Sequence, residues 1–312
     1  MTFEHRPVMV DEIVEALAPA PPGVLVDATV GGGGHAKALL AAHPHLQLVG
    51  LDRDDAALAA AAENLSGFGD RVRLRRCRFD ALATTLEELG ETHVSAVLFD
   101  LGVSSPQLDV AGRGFSYRND GPLDMRMDRR QDRTAADVVN GYDERRLAEV
   151  IRTYGDERFA TRIARAIVAA RPVESTTQLA DIVRNAIPAA TRRHGGHPAK
   201  RTFQAVRIEV NDELAILADS IDQAIDFLAP GGRCAVLAYH SGEDRVVKDR
   251  FRHHATAGVD LPPGLPLPEG VEPDVRLVRG VRKTATTAES AANPRAESVR
   301  LRVVEKLARR AG

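Results

Sequence analysis

Residues 24–35, Val24-Leu25-Val26-Asp27-Ala28-Thr29-Val30-Gly31-Gly32-Gly33-Gly34-His35, decide the fold. Three apolar residues before an acid read as a buried strand, and the four glycines free the backbone for a tight turn. A helical stretch from about His35 to Ala42 follows, and its N-terminus offers unpaired N–H groups to a ligand. Working outward, the alternation repeats. Leu46 to Leu51 reads as a strand ahead of Asp52, and Asp54 to Leu65 as an alanine-rich helix capped by Asp54 or Asp55. Val72 to Arg76 is a weaker strand, Ala81 to Leu89 a helix, and Val94 to Phe99 a buried strand ending in Asp100. Such β-α units imply an α/β fold, a Rossmann-like doubly wound parallel sheet with helices on both faces.

After Asp100 the pattern changes. Residues 106–135 carry Gly, Pro, Asp and Arg with little periodicity, a long loop of the functional kind. Helices are expected over Glu144–Tyr154, Glu157–Ala170 and Thr177–Ile187. A break at Arg193–Pro198 precedes a further helix from about Thr202 to Leu228. Pro230-Gly231-Gly232 turns the chain into a strand over Arg233–Tyr239, a proline-rich loop covers about 258–274, and Ser298–Leu307 closes as a strand. Residues 1–105 and 206–312 are therefore expected to form one doubly wound domain, with 106–205 a mostly helical insert.

Composition narrows the function. The 312 residues carry 42 Lys+Arg against 44 Asp+Glu, a net charge of −2, and only 4% aromatics without tryptophan. A surface built on stacked bases is disfavoured. The balance is uneven, however: residues 106–205 hold 18 basic and 13 acidic side chains, leaving the remainder at −7. The insert is thus the half suited to a polyanion. Cys77 and Cys234 are too few for a disulfide framework and suggest a reducing compartment, the cytoplasm. No run approaches the roughly 18 apolar residues of a membrane span.

Gly31-x-Gly33-x-x-Ala36 formally satisfies a dinucleotide fingerprint. Asp27 argues otherwise. A carboxylate just before the loop suits the ammonium of S-adenosyl-L-methionine, whereas it would repel a pyrophosphate. Asp52 can accept from both ribose hydroxyls of either cofactor. Phe79 follows strand three close to where an adenine would lie in this fold, with Asp80 placed for the exocyclic amine, and a phenylalanine at a strand end reads equally well as core. Asp100-Leu101-Gly102-Val103-Ser104-Ser105-Pro106-Gln107 ends strand four, where open α/β sheets place their chemistry. Its composition suits methyl transfer to an exocyclic amine, whose delocalised lone pair needs an acceptor near the N–H bonds. No cysteine occurs there, which disfavours covalent attack on a pyrimidine ring. Asp100, Ser104 and Ser105 are the catalytic candidates.

The sequence resembles the MraW/RsmH family, ribosomal RNA small subunit methyltransferase H. The matching blocks are Asp27-Ala28-Thr29 with Gly33-Gly34-His35, Leu51-Asp52-Arg53-Asp54, Asp100 to Asp109 (DLGVSSPQLD), Arg113-Gly114-Phe115-Ser116 and Asp120 to Asp128 (DGPLDMRMD). Later come His197 to Leu214 (HPAKRTFQAVRIEVNDEL), Tyr239 to Lys248 and Asn293-Pro294-Arg295-Ala296, so the likeness spans nearly the whole chain. It implies a class I S-adenosyl-L-methionine-dependent fold and N4-methylation of a cytidine in the decoding centre of 16S rRNA. Cofactor contacts carried over fall on Gly33, Gly34, His35, Asp52, Phe79, Asp100 and Gln107. The partner is 16S rRNA in the small ribosomal subunit, no membrane is implied, and a homodimer is allowed. Two departures stand out: Gly242 replaces the usual Leu, and Ala199-Lys200 stands where Ala-Thr is common.

Other constellations have plainer readings. The pairs His43/His45, His194/His197 and His253/His254 lack the cysteine or histidine partners of a zinc site, so no metal is expected. His35 is expected to act through its backbone N–H. Arg113, Arg118, Arg126, Arg129, Arg130 and Arg133 are read as phosphate contacts in part, although five interspersed aspartates allow a solvated face. Phe115 and Tyr117 could stack on a flipped-out base or anchor the loop. His240-Ser241 could position substrate or cap a helix through Ser241. Competing functions are a small-molecule methyltransferase with the insert as lid, a non-catalytic RNA-assembly factor that binds S-adenosyl-L-methionine, and a dehydrogenase.

Overall fold

The computed structural model describes residues 7–103, 105–189, 197–261 and 265–308, arranged in two compact units. Met1–Gly102 with Leu214–Gly312 form the first, and Val103–Glu213 the second.

The first unit is built on a seven-stranded sheet of β1 (Gly23–Asp27), β2 (Leu46–Asp52), β3 (Val72–Arg76), β4 (Val94–Asp100), β5 (Leu228–Ala238), β6 (Val275–Leu277) and β7 (Arg300–Lys306). The order is β3-β2-β1-β4-β5-β7-β6, with β7 antiparallel to both neighbours and the other pairs parallel. This is the expected α/β doubly wound sheet with an antiparallel edge. Alternate residues feed two cores. Leu25, Leu48 and Leu98 pack with α1 (Val10–Leu17) and α2 (Gly34–Ala42) through Leu17 and Leu39. Val26, Val49 and Phe99 pack on the other face with α4 (Leu82–Glu88), α11 (Glu213–Phe227) and α12 (Ser241–Ala255), through Leu86, Ile221 and Phe251.

Local chemistry sets the element ends. Asp54 caps α3 (Asp55–Asn64) by accepting the N–H of Ala56 at 3.1 Å. That choice between the two candidate aspartates leaves Asp52 to another task. Pro230-Gly231-Gly232 does not precede the strand but lies within it. Register steps from Val94↔Leu228 to Ala96↔Arg233, so the segment bulges, with Gly231 at φ 80°. Sequence reading passed over helix α1, although Val10, Ile13, Val14 and Leu17 recur at helical spacing, and over β6, whose three residues are too few to show a period.

In the second unit, α5 (Ser105–Asp109) is followed by a long irregular segment and then α6 (Ala135–Gly141), α7 (Glu144–Gly155), α8 (Ala160–Ala169), α9 (Thr176–Ala186) and α10 (Lys200–Asn211). Their apolar stripes close a separate core around Leu147, Ile151, Ile163, Leu179 and Val206. The expected helix 202–228 is two helices, because Asp212 adopts a left-handed conformation (φ 53°) between α10 and α11. Asn211 has turned its buried amide to the loop, donating to the Met125 carbonyl (2.8 Å) and accepting from the Met127 N–H (2.9 Å). The long loop is therefore ordered by backbone hydrogen bonds rather than by regular structure. A short helix, α13 (Thr287–Ala292), precedes β7 in the first unit. No helix among the described residues is long and apolar enough to cross a membrane.

Candidate active site

The sheet reverses its winding between β1 and β4, and the carboxyl ends of those strands carry Asp27 and Asp100. Open α/β sheets bind ligands in the crevice at such a point. The glycine turn fills the space above it, each glycine for its own reason. Gly31 and Gly33 have φ of 51° and 81°, which a side chain would strain. A Cβ at Gly34 would lie 2.3 Å from Pro7, whereas one at Gly32 would meet nothing within 4 Å. Helix α2 then starts without a side-chain cap, which leaves its first N–H groups to a ligand.

Asp100 is gripped at both oxygens. The Tyr239 hydroxyl donates to Oδ1 at 2.7 Å, and His35 Nδ1 lies 3.3 Å from Oδ2. The other His35 nitrogen, Nε2, donates to the Val8 carbonyl at 2.8 Å. A carbonyl can only accept, and a carboxylate faces the second nitrogen, so the geometry favours an imidazolium. Burial opposes that charge, but the charge and hydrogen bond of Asp100, then the Val8 carbonyl and Asp27, outweigh it and push the His35 pKa up to about 9. The ring of His35 thus ties α2 to the segment before α1 and to Asp100, a role beyond its backbone N–H. The Thr29 hydroxyl accepts the Asp100 N–H at 2.6 Å, fixing the strand end against the glycine turn.

Asp27 is fully buried and accepts the N–H of Thr29 at 3.2 Å. Burial raises its pKa to about 7, offset in part by the His35 charge and the Thr29 hydrogen bond. A buried carboxyl poised at neutrality gains its charge when a cation arrives. Asp52 accepts from Gly31 N at 2.9 Å through Oδ2 and from Asp54 N at 2.9 Å through Oδ1. Each oxygen keeps a lone pair, and burial pushes the pKa of this carboxyl up as well. Phe79 sits edge-on to the core residue Phe99, with centroids 6.0 Å apart, and is only half buried. Asp80 is taken by its neighbour: Arg78 pairs with it through Nε (2.8 Å) and Nη2. An amine would have to compete with that guanidinium.

The structure brings Gly33, Gly34, His35, Asp52, Asp100 and Phe79 to the carboxyl edge of one sheet. Ser104 lies outside the described residues, as does the side chain of Ser105. Gln107 belongs to the second unit, where it is buried. Sequence reading missed Tyr239 as the partner of Asp100, although the tyrosine stands at the end of strand five, the position where partners of a strand-four acid belong.

Several loop residues prove to be structural. Arg113 is buried and donates to the carbonyls of Arg126 (3.0 Å) and Met127 (3.1 Å). Arg126, Arg130 and Arg133 pair with Asp124, Asp128 and Asp212. Arg118 and Arg129 are exposed and make no ion pair among the described residues. Phe115 is buried in the core, and Tyr117 stacks on His197 at 4.5 Å, so both anchor the loop. The cap of α12 is His240 rather than Ser241: its Nδ1 accepts from Gly242 N at 3.2 Å and Glu243 N at 3.3 Å. A Cβ at Gly242 would lie 3.1 Å from that ring, so glycine there accommodates the cap. His254 lies between Asp222 (2.9 Å) and Asp274 (3.3 Å), an ion-pair cluster of the first unit.

A family model described as the MraW methylase family matches residues 2–307. The chain belongs to that family. Ribosomal RNA small subunit methyltransferase H of Thermobifida fusca is 53% identical over 309 residues, covering 97% of this chain and 93% of its own. The protein of the same name from Acidothermus cellulolyticus is 55% identical over 310 residues, covering 97% and 94%. Among solved structures, an rRNA methylase from Streptococcus thermophilus aligns with a TM-score of 0.41 at 13% identity, covering 96% of this chain and 94% of that one. The chain is thus a methylase by family, built on the mostly parallel seven-stranded α/β sheet described above, and S-adenosyl-L-methionine is the methyl donor. The donor set fits that molecule: a buried carboxyl for a cation, a second carboxyl with free lone pairs for hydroxyls, open space over Gly32 and an uncapped helix.

Proposed function

We propose that this methylase transfers a methyl group to N4 of a cytidine in the decoding centre of 16S rRNA, within the small ribosomal subunit of the cytoplasm. The observation that carries the reading is the Asp100 carboxylate, held at both oxygens at the carboxyl end of β4 beside the glycine turn. When bound, S-adenosyl-L-methionine supplies an electrophilic methyl group on a sulfonium. Asp27 would hold the ammonium, Asp52 the ribose hydroxyls, Phe79 the adenine face, and Gly33, Gly34 and His35 the turn around them. Asp100 accepts a hydrogen bond from the amine, returns electron density to nitrogen, and takes the proton released as the N–C bond forms. The near-identical names of the relatives support rRNA as the acceptor. In the insert, the exposed Arg118, whose guanidinium lies over the Tyr117 ring, and the exposed Arg129 are the phosphate contacts this reading favours.

The test is methyl transfer from labelled S-adenosyl-L-methionine to undermethylated small subunits, with free cytidine alongside and N4-methylcytidine located by mass spectrometry. Label in the subunit at a single cytidine, lost in Asp100→Ala, is the expected result. Label only in the free nucleoside would identify a small-molecule enzyme. Undiminished modification by Asp100→Ala would remove Asp100 from the chemistry.

A further inference from the structure

Tyr239 directly follows β5, and its backbone and ring are both held. Its N–H donates to Glu243 Oε2 at 2.7 Å, its carbonyl accepts from the Ser298 hydroxyl at 2.7 Å, and its half-buried side chain packs against the core that holds Leu98 and Leu301. Glu243 is itself buried and also accepts the N–H of His240 at 3.2 Å. These bonds hold the backbone from which the side chain reaches Asp100. Its hydroxyl spends its proton on Asp100 Oδ1.

We propose that Tyr239 is a positioning residue for methyl transfer: it clamps the Asp100 carboxylate against His35 so that a lone pair stays aimed at the target amine. The inference rests on the reading of Asp100 given above. A carboxylate on a strand end rotates freely about its last bond unless both oxygens are engaged. His35 engages Oδ2, and Tyr239 engages Oδ1. Each oxygen retains a second lone pair, one of which can meet the amine N–H. In the transfer the N–C bond forms, the S–C bond breaks with its electron pair going to sulfur, and the amine proton passes to Asp100. Tyr239 keeps its own proton throughout. Loss of the clamp would leave the carboxylate present but wandering, so the chemical step should slow while both substrates still bind.

The experiment is single-turnover and steady-state methylation of small subunits by the full chain carrying Tyr239→Phe, Asp100→Asn, or both. Tyr239→Phe keeps the ring against that core and should lower kcat by about 10- to 100-fold, as expected for a hydrogen bond to a charged group. KM for S-adenosyl-L-methionine and for subunits should stay within about twofold. In the Asp100→Asn background, Tyr239→Phe should add less than about twofold, because the residue acts only through that carboxylate. A merely structural role would give equal losses in both backgrounds, and would move KM with kcat. Tyr239→4-aminophenylalanine retains a donor at the ring tip and should recover most of the lost rate. This variant also decides the matter should Tyr239→Phe fold poorly. Unchanged kcat in Tyr239→Phe, with activity lost in Asp100→Asn, overturns the clamp alone. Full activity in Asp100→Asn overturns the reading on which it rests.

Discussion

The His35 imidazolium makes a stability prediction that needs no substrate. Against the cost of burial, the charge and hydrogen bond of Asp100, then the Val8 carbonyl and Asp27, shift its pKa from 6.5 to about 9 in the folded chain. Between those values the folded protein holds a proton that the unfolded chain has released. The His35 contribution is therefore full below pH 6.5 and is lost as pH rises through 9, at about 1.4 kcal/mol per pH unit and roughly 3 kcal/mol in all. Asp27 has its pKa raised to about 7 in the same network, and ionising it also costs stability as pH rises. Removing His35 would raise the Asp27 pKa further and blur the comparison. The measurement therefore belongs in an Asp27→Asn background, where asparagine can still accept the Thr29 N–H. His35→Gln keeps a donor for the Val8 carbonyl but cannot titrate. Urea unfolding of Asp27→Asn and of Asp27→Asn/His35→Gln, from pH 6 to 9.5, should give ΔG curves that converge by about 3 kcal/mol as pH rises. Cysteines and tyrosines titrate alike in both chains and cancel. Parallel curves across that window would refute the buried imidazolium, and with it the account of how Asp100 is held.

Further expectations concern both units. Gly34→Ala places a methyl 2.3 Å from Pro7, so urea unfolding should show a loss of about 1–3 kcal/mol and looser binding of S-adenosyl-L-methionine by calorimetry. Asn211→Ala strands the buried Met127 N–H and Met125 carbonyl, and should cost about 2–4 kcal/mol with faster proteolysis of the 113–134 loop. Arg118→Glu with Arg129→Glu leaves every described ion pair intact. The melting temperature should stay within about a degree, while affinity for small-subunit RNA falls and its salt dependence flattens. An unchanged salt slope would show that these arginines face solvent only.

Strands β1, β2 and β4 were legible because each is a short apolar run ending in an acid, and helices of fitting length separate the first strands. That pattern has few other readings once four glycines mark the first turn. Tyr239 was not legible in this way, since 139 residues separate it from Asp100 and no periodicity connects them. Nor was the pairing of the loop arginines. Alternating Arg and Asp describe a solvated face, a phosphate site and an internal lattice equally well. Only the coordinates assign Arg113 to carbonyls and Arg126 to Asp124. The single long helix expected over 202–228 failed at Asp212 because helical propensity is local, whereas Asn211 answers to the backbone of residues 125–127.

The Val24–His35 stretch and its echoes determined by themselves the β-α rhythm, the winding of the sheet and the edge on which Asp27, Asp52 and Asp100 stand. Strand period and apolar burial are properties of neighbouring residues, so the chain states them locally. Tertiary structure alone decided the charge state of His35, the partners of Asp100 and the fate of each arginine. Those depend on desolvation and on which of several possible groups meet in space, whether 139 residues apart, as Tyr239 and Asp100, or two, as Arg126 and Asp124, and sequence spacing does not choose among them.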